Sequence, residues 1–224
     1  MPRERQELVR ASRFRDAEKL FILSFEGTET EPRYFEGLRS SACFNDCGLL
    51  EIVSRVRPKA DRKGSNPINV KRLLKVAKTD YDFRKTDEFW LIVDRDDWAE
   101  QHHIDFGQLV AECKAEGNFF MAMSNPCFDF WLLLHLRDFT NLPEDIKSQI
   151  YQNKRISNKK HFIDTVIEEA INDGRGYSKR IKAEIFLPGI YDAIARAKEL
   201  NNPDEDYPSS FGSDVFKLVE KLVK

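Results

Sequence analysis

The sequence of 224 residues contains no apolar run near the roughly 20 residues that a membrane-spanning helix needs. Its first segment, MPRERQELVRASRFRDAEK, also lacks the apolar stretch of a secretory signal. Basic side chains do not exceed acidic ones, 36 against 38, so the overall charge does not indicate a nucleic-acid-binding protein. With 41% hydrophobic residues, the chain is expected to be a soluble globular protein, located in the cytoplasm.

The motifs of the commonest metal and nucleotide sites are missing as well. No CxxC pair and no second Cys/His pair at zinc spacing accompanies the four cysteines, which are Cys43, Cys47, Cys113 and Cys127. Neither GxGxxG nor GxxxxGK[ST] occurs, which argues against dinucleotide-binding and P-loop proteins. We therefore expect free thiols. His135 lies in an apolar helical stretch and is expected to be a satisfied core histidine.

Residues 20 to 136 alternate four times between a strand pattern and a helix pattern. The apolar runs that predict strands are 20–25, 49–56, 89–93 and 118–123, and helical patterns occupy 32–38, 68–78, 104–116 and 127–136. Continuous apolarity, as in LFILSF, is typical of strands buried on both faces. The alternation predicts an α/β domain with a parallel sheet and right-handed crossovers. Thr30 and Gly117 are the expected caps of the first and third helices.

Three regions follow from these patterns. Residues 1–17 are highly charged and are expected to form an exposed arm, and residues 18–140 form the α/β domain. Residues 141–224 are predicted to be a mostly helical region that packs on this domain, with prolines as breaks.

Carboxylates follow three of the predicted strands. Glu26 ends the first strand, Asp94 and Asp96 follow the third, and Asp129 comes shortly after the fourth. Ligands of open parallel sheets bind outside the carboxyl ends of the strands, where the strand order reverses. With the order 2-1-3-4, these acids would converge in one crevice.

Crowded carboxylates raise one another's pKa, and a hard divalent cation relieves this repulsion. Mg²⁺ prefers oxygen ligands, and two such ions can promote phosphodiester cleavage. A simpler interpretation stays open, because an acid after a strand can cap a helix or bind the backbone amides of a turn. The combination of three acidic motifs at one predicted edge favours the metal site.

The same motifs resemble those of known proteins. Glu-Gly after the first strand and Asp-x-Asp after the third look like a TOPRIM domain, the metal-binding module of topoisomerases, primases and OLD-type nucleases. More specifically, EGTETE at 26–31, DRDD at 94–97 and SNPCFDFWLLLH at 124–135 resemble the RloB-like family. The resemblance covers residues 18–140 well and extends weakly to Tyr177-Ser178-Lys179 and to 208–210. This chain departs from the family at Asp129, where Glu is more usual.

The resemblance implies a Rossmannoid, TOPRIM-like four-stranded parallel sheet and a Mg²⁺-dependent nuclease that cuts DNA or RNA. It further implies an effector of anti-phage defence or abortive infection, with an ATPase partner of the AAA/ABC type. Mn²⁺ is the expected substitute in a two-ion site, and a homo-oligomer is compatible with this interpretation. Glu26 would be a metal ligand or the general acid or base, and Asp94 and Asp96 the principal ligands. Glu31, Asp97 and Asp129 would be the candidates for the second ion or for outer contacts to the metal.

Basic side chains offer places for nucleic acid near this edge. The loop after the second strand carries five of them, Arg55, Arg57, Lys59, Arg62 and Lys63. It leaves the sheet at the same edge as the acids, although a solvated surface loop would have the same composition. Further basic stretches include Lys154 and Arg155, and later Lys179, which would stabilise the scissile phosphate as a catalytic residue.

Other functions fit part of the pattern. A non-catalytic regulatory or scaffolding subunit of the ATPase complex would need only the helical half. A primase-like nucleotidyl transferase would use the same metal chemistry, but no template-binding module is evident. A topoisomerase would need a nucleophilic tyrosine on a large second domain, for which the chain has little room.

Overall fold

The computed structural model describes residues 19–45, 49–51, 66–80, 83–96, 98, 103–158, 160–171 and 176–224. These residues form a central sheet with helices on both faces. The arm predicted for residues 1–17 lies outside the described residues, as does most of the loop after the second strand. The division at residue 140 stays a prediction.

The central sheet has the strand order β2-β1-β3-β4-β7. Its strands are β1 (Leu20–Phe25), β2 (Leu49–Glu51), β3 (Glu88–Asp94), β4 (Phe119–Asn125) and β7 (Gly212–Ser213). The first four are parallel, which confirms the predicted parallel sheet, and they have the order 2-1-3-4 that would bring the acids together. The sequence did not predict β7, which pairs antiparallel with the end of β4. Two residues are too few for an apolar pattern to reveal a strand.

Helices follow the strands much as predicted. The described helices are α1 (Thr30–Arg39), α2 (Pro67–Asp80), α3 (Phe106–Glu116), α4 (Phe128–Leu136), α5 (Glu144–Gln152), α6 (Phe162–Ile171), α7 (Ile190–Leu200) and α8 (Val215–Leu222). Gly117 ends α3 with a φ of 78°, as expected of a C-terminal cap. The predicted cap Thr30 is wrong, because Thr30 is already helical and Glu29 precedes it without a side-chain cap bond. The Thr30 hydroxyl instead donates to the carbonyl oxygen of Lys179, at 3.2 Å.

Successive residues of each central strand enter different cores. Phe21, Leu23 and Phe25 pack with α1, α4 and the C-terminal helices, whereas Leu20 and Ile22 pack with α2 and α3. All six residues of β1 are buried, which confirms the prediction from its continuous apolarity. Helices therefore cover both faces, and the carboxyl ends of the parallel strands provide the place for polar side chains.

The C-terminal half combines helices with short strands. The 3₁₀ turns Phe139–Asn141, Ala183–Ile185 and Leu187–Gly189 link its helices. A hairpin of β5 (Arg155–Ser157) and β6 (Lys160–His161) contains one of the basic stretches, which the sequence alone did not show to be a strand pair. None of the helices in the described ranges has both the length and the apolar character that a membrane crossing requires.

Helix α4 is buried from Phe128 to His135, which confirms that Trp131 and the leucines after it belong to the core. His135 Nδ1 bonds the Trp131 carbonyl oxygen at 2.9 Å, and its Nε2 lies 3.0 Å from the Tyr34 hydroxyl. Burial lowers the pKa of His135 to about 3, so the imidazole is neutral and the Tyr34 hydroxyl donates to Nε2. The predicted core histidine is confirmed. Cys43, Cys113 and Cys127 are free thiols.

Candidate functional site

The ends of the central strands bring the predicted acids together. The Glu26 N–H donates to the Ile92 carbonyl oxygen at 3.0 Å, which continues the pairing of β1 with β3 past the strand end. On the other side, the Arg95 N–H donates to Ser124 and the Asp96 N–H to Pro126. Backbone hydrogen bonds therefore fix the positions from which the carboxylates project.

Glu26 is a buried carboxylate, only 8% exposed. Its Oε2 accepts the Asp94 N–H at 3.1 Å, and its Oε1 accepts the Trp98 indole N–H at 2.7 Å. Burial raises the pKa of Glu26 to about 8, with a further contribution from the charge of Asp96, although the two hydrogen bonds oppose the shift. A carboxyl group with this pKa exchanges protons near neutral pH.

Asp94, at the end of β3, has the most carboxylates around it. Burial raises its pKa well above the usual value, and the charges of Asp96, Glu26, Glu31 and Asp129 raise it further. Its Oδ1 accepts the Phe128 N–H at 2.8 Å and so also caps the first turn of α4. The simpler interpretation of acids that bind backbone amides is thus true of Asp94, but it leaves the surrounding charge unexplained.

Glu31, on the first turn of α1, points back toward the strand end. Its Oε1 accepts the Gly27 N–H at 2.9 Å, and a Cβ at Gly27 would lie 2.2 Å from Oε2. A side chain at position 27 would therefore displace the Glu31 carboxylate from this contact. Burial raises the pKa of Glu31, and the charge of Asp129 adds to the shift.

Lys179 contributes a positive charge to the site and pairs with Asp129. Asp129, on α4, accepts hydrogen bonds from the Tyr177 hydroxyl and from Lys179 Nζ. Lys179 Nζ also lies 3.2 Å from Oδ1 of Asp164, a residue of α6 that is 2% exposed. Burial disfavours the charged lysine, but the carboxylates of Asp129 and Asp164 outweigh it and raise the pKa of Lys179. The lysine thus compensates two buried acids.

Replacing this lysine should destabilise the protein more than replacing a lysine in an exposed pair. We expect Lys179→Met to lower the free energy of unfolding by about 1–3 kcal/mol, because Asp129 and Asp164 stay buried without their cation. Lys198→Met is the matched control, since Lys198 pairs with Glu220 at the surface and should cost about 0–1 kcal/mol. Urea unfolding at pH 7 measures the free energy of unfolding of both variants. If both variants lose the same amount of stability, Lys179 contributes no more than a lysine in an exposed ion pair.

An open cleft of about 670 Å³ lies over these residues. Its lining includes Asp94, Asp96, Asp129 and Lys179, together with Trp98 and the segment from Asn125 to Cys127. The rest of the lining comes mainly from the C-terminal end of α5 and from β6, with Tyr151, Gln152, Asn153 and His161. Three of the acids, Asp94, Asp96 and Asp129, thus line one cleft together with residues of the C-terminal half.

The structure brings together six of the predicted site residues, which are Glu26, Glu31, Asp94, Asp96, Asp129 and Lys179. Asp97 and the basic residues Arg55, Arg57, Lys59, Arg62 and Lys63 lie outside the described residues. Sequence reasoning missed Trp98, Asp164 and the part of the cleft lining that comes from α5 and β6. Asp164 looks like an ordinary first-turn acid of a helix, and its N-terminal position indeed lets it accept the His161 N–H.

The donors of the site suit a hard divalent cation. They are carboxylate oxygens, and their mutual repulsion is the condition that Mg²⁺ relieves. Among the residues that the structure describes, no group of three or more His, Cys, Asp or Glu side chains is arranged to hold a metal ion. Two carboxylates with added water and substrate oxygens are nevertheless a usual set for Mg²⁺, so the donor chemistry fits.

Comparison with known proteins identifies the family. The family model described as "RloB-like protein" matches residues 21–222, which include every described strand of the sheet except the first residue of β1, as well as the acids and Lys179. No curated protein and no solved structure matches the chain significantly. Because the match covers most of the sequence and the whole candidate site, the chain belongs to the RloB-like family.

Proposed function

We propose that this protein is a Mg²⁺-dependent nuclease with a TOPRIM-like centre that hydrolyses phosphodiester bonds of DNA or RNA. The observation that carries the proposal is the convergence of Glu26, Glu31, Asp94, Asp96 and Asp129 beside one cleft. Burial and mutual repulsion raise the pKa of three of them, a cost that a bound cation offsets. The parallel strand order supports the comparison with a TOPRIM domain.

Individual residues take different roles in this proposal. Asp94 and Asp96 would hold the first Mg²⁺, with Glu26, Glu31 and Asp129 available to a second ion or to its bound water. When bound, the ions would activate a water molecule and stabilise the leaving oxygen of the phosphodiester.

Two groups of the chain would handle protons and charge. Glu26, with a pKa of about 8 in the metal-free protein, is suited to accept or return a proton near neutral pH. Trp98 and the Asp94 N–H hold its carboxylate in place. Lys179 lines the cleft as a cation and would stabilise negative charge on the phosphate, at the expense of its contact with Asp129.

Its biological role follows from the family resemblance. We propose an effector of anti-phage defence or abortive infection that acts with an ATPase of the AAA/ABC type. The ATPase would control when the nuclease meets its substrate, since an unregulated nuclease would damage its own cell.

The test is cleavage by the full-length chain. Purified protein, with and without the ATPase, is incubated with single- and double-stranded DNA and RNA in Mg²⁺, Mn²⁺ or EDTA. We expect cleavage in Mg²⁺ or Mn²⁺ and none in EDTA. Intact substrates in every reaction with the ATPase, or equal cleavage in EDTA, would overturn the proposal.

A second candidate is a regulatory or scaffolding subunit. The observation in its favour is that Glu26 and Asp94 already bind backbone N–H groups and therefore have structural roles. Defence or toxicity in cells discriminates the two functions. An Asp94→Asn protein with wild-type potency would favour the scaffold, whereas loss of potency at an unchanged protein level would favour the nuclease.

A further inference from the structure

The part of the cleft lining that comes from the C-terminal half offers an aromatic ring. Tyr151, near the end of α5, lines the cleft and is one of five large hydrophobic side chains that are exposed among the described residues, at 42%. Its ring forms a T-shaped pair with Phe211, with centroids 5.2 Å apart. Phe211 in turn packs against Phe139 and Phe130, so the tyrosine rests on a fixed aromatic cluster.

This arrangement leaves the tyrosine ring able to stack. A T-shaped pair covers at most one face of each ring, and the remaining surface of Tyr151 borders the cleft. Aromatic rings in grooves that follow a sugar–phosphate backbone bind successive bases by stacking, with little dependence on sequence. Tyr151 lines the same cleft as Asp94, Asp96 and Asp129, so a strand whose backbone reaches these acids would bring its bases near the tyrosine ring.

The residues after Tyr151 extend the same wall. Asn153 ends α5 in a left-handed conformation with a φ of 40°, and its amide is occupied by Cys127 Sγ and by the Ile163 N–H. Asn153 therefore has a structural role in the cleft lining, and we assign its amide no contact with a ligand. Gln152 and His161 also line the cleft, and their side chains offer hydrogen-bonding groups to a base edge.

A basic rim adjoins this wall. Lys154 and Arg155 follow Asn153 directly and are exposed, and no ion pair to either occurs within the described ranges. Arg155 pairs with His161 in the hairpin, and directly opposite residues of an antiparallel pair project from the same face. The Arg155 side chain therefore projects from the same face of the hairpin as that of His161, which lines the cleft, and a backbone phosphate that leaves the cleft on this side would meet it.

We infer that the cleft binds single-stranded nucleic acid, with an unpaired base stacked on Tyr151 and the adjoining backbone held by Lys154 and Arg155. The inference deepens the proposed nuclease function and rests on it. A paired base within a duplex has both faces covered and cannot reach a ring in a cleft. The volume of about 670 Å³ is that of a pocket for a small organic ligand, which suits a nucleotide.

Binding by full-length protein tests the inference. All variants carry Asp94→Asn so that the oligonucleotides stay intact, and fluorescence anisotropy is measured in Mg²⁺ with single strands and matched duplexes of DNA and of RNA. Tyr151→Ala should weaken single-strand binding by about tenfold, the size expected from loss of one base stack. Tyr151→Phe should bind like its parent, because the ring remains.

Tyr191→Ala provides the matched control, since Tyr191 is 54% exposed on α7 and does not line the cleft. Its affinity should be unchanged. Lys154→Ala/Arg155→Ala should weaken binding to any sequence and reduce the slope of log affinity against log salt by about 0.7 for each phosphate that is no longer neutralised.

The inference is overturned if Tyr151→Ala binds single strands as tightly as its parent, if the parent prefers duplexes, or if the parent binds no single strand. If the nuclease proposal is wrong and the stacking inference is right, the experiments give a different result. In that case Tyr151 governs single-strand binding, but protein with an intact Asp94 cleaves nothing in any metal. Cleavage that is equally efficient with and without the Tyr151 ring would remove the stacking inference alone.

Discussion

Asp94→Asn protein is expected to cleave nucleic acid more slowly than the wild type by well over about 100-fold. Outer partners of metal ligands already contribute about 10–100-fold to affinity or activity, and Asp94 would be a direct ligand. The side chain lies among four other carboxylates at the end of β3, so its charge is central to holding a cation. An asparagine keeps the shape and can still accept the Phe128 N–H, so only the charge is removed.

Initial rates with a saturating oligonucleotide in Mg²⁺ measure this effect. Asp192→Asn is the matched control, because it makes the same change at an exposed position of α7 and should leave the rate unchanged. Unfolding curves show that the variant is folded, and we expect the metal-free Asp94→Asn protein to be at least as stable as the wild type. Substantial Mg²⁺-dependent cleavage by folded Asp94→Asn protein would show that Asp94 is not a required metal ligand.

Metal-free protein is expected to lose stability as the pH rises from about 6.5 to about 8. Burial raises the folded pKa of Glu26 to about 8 and that of Asp94 well above its usual value. Each group therefore keeps its proton in the folded protein at pH values where the unfolded chain has lost it. The protonated carboxyl groups of Glu26 and Asp94 contribute fully to stability at pH values below the unfolded pKa of about 4. Their contribution is lost as the pH rises through the folded pKa.

The size of the loss from Glu26 follows from its shift. A group protonated only in the folded state loses about 1.4 kcal/mol per pH unit, so Glu26 gives roughly 1–2 kcal/mol over this interval, and the raised pKa of Asp94 acts in the same direction. The titration of His135 does not change the free energy of unfolding within this pH interval. Its folded pKa of about 3 makes it stabilising above its unfolded pKa of about 6.5, and the effect is constant from there upward.

Urea unfolding in EDTA at several pH values tests the expectation. A Glu26→Gln/Asp94→Asn protein should show a much flatter profile, whereas Glu184→Gln/Asp192→Asn, which changes two exposed acids, should behave like the wild type. Saturating Mg²⁺ should also flatten the wild-type profile, because bound metal keeps the carboxylates ionised. If metal-free stability is constant or increases across the interval, the site acids do not have raised pKa values.

The sheet could be predicted from the sequence because its signals are strong and local. LFILSF is apolar at every position but Ser24, and the structure sends Phe21 and Leu23 to one core and Ile22 to the other. Right-handed crossovers limit the possible topologies once four strand–helix units are recognised, but they do not determine the order 2-1-3-4 that the structure has. The failures lie at the ends of elements. Thr30 has the chemistry of a cap but bonds Lys179, which is distant in the sequence.

The acids of the site were predictable for a related reason. Parallel strands align their carboxyl ends, so a sequence that places Glu26 and Asp94 after apolar runs also places them in one crevice. The lysine and the rest of the cleft lining depend on packing between helices of the C-terminal half. No local pattern indicates that Asp164 meets Lys179 or that Tyr151 lines the same cleft as the acids, because these contacts follow from how α6 packs against α4 and α5 against α6.

Strand β7 lies late in the sequence, which affects the order in which parts of the fold can form during synthesis. The edge of β4 beside Asn125 finds its partner only in Gly212–Ser213, and Lys179 likewise follows all five acids in the chain. On a ribosome, the acidic half of the centre emerges first, with an open strand edge and without its lysine. Contacts of such wide sequence separation form slowly. The nascent chain therefore passes through an interval in which a chaperone has a strand edge to bind and the complete centre does not yet exist.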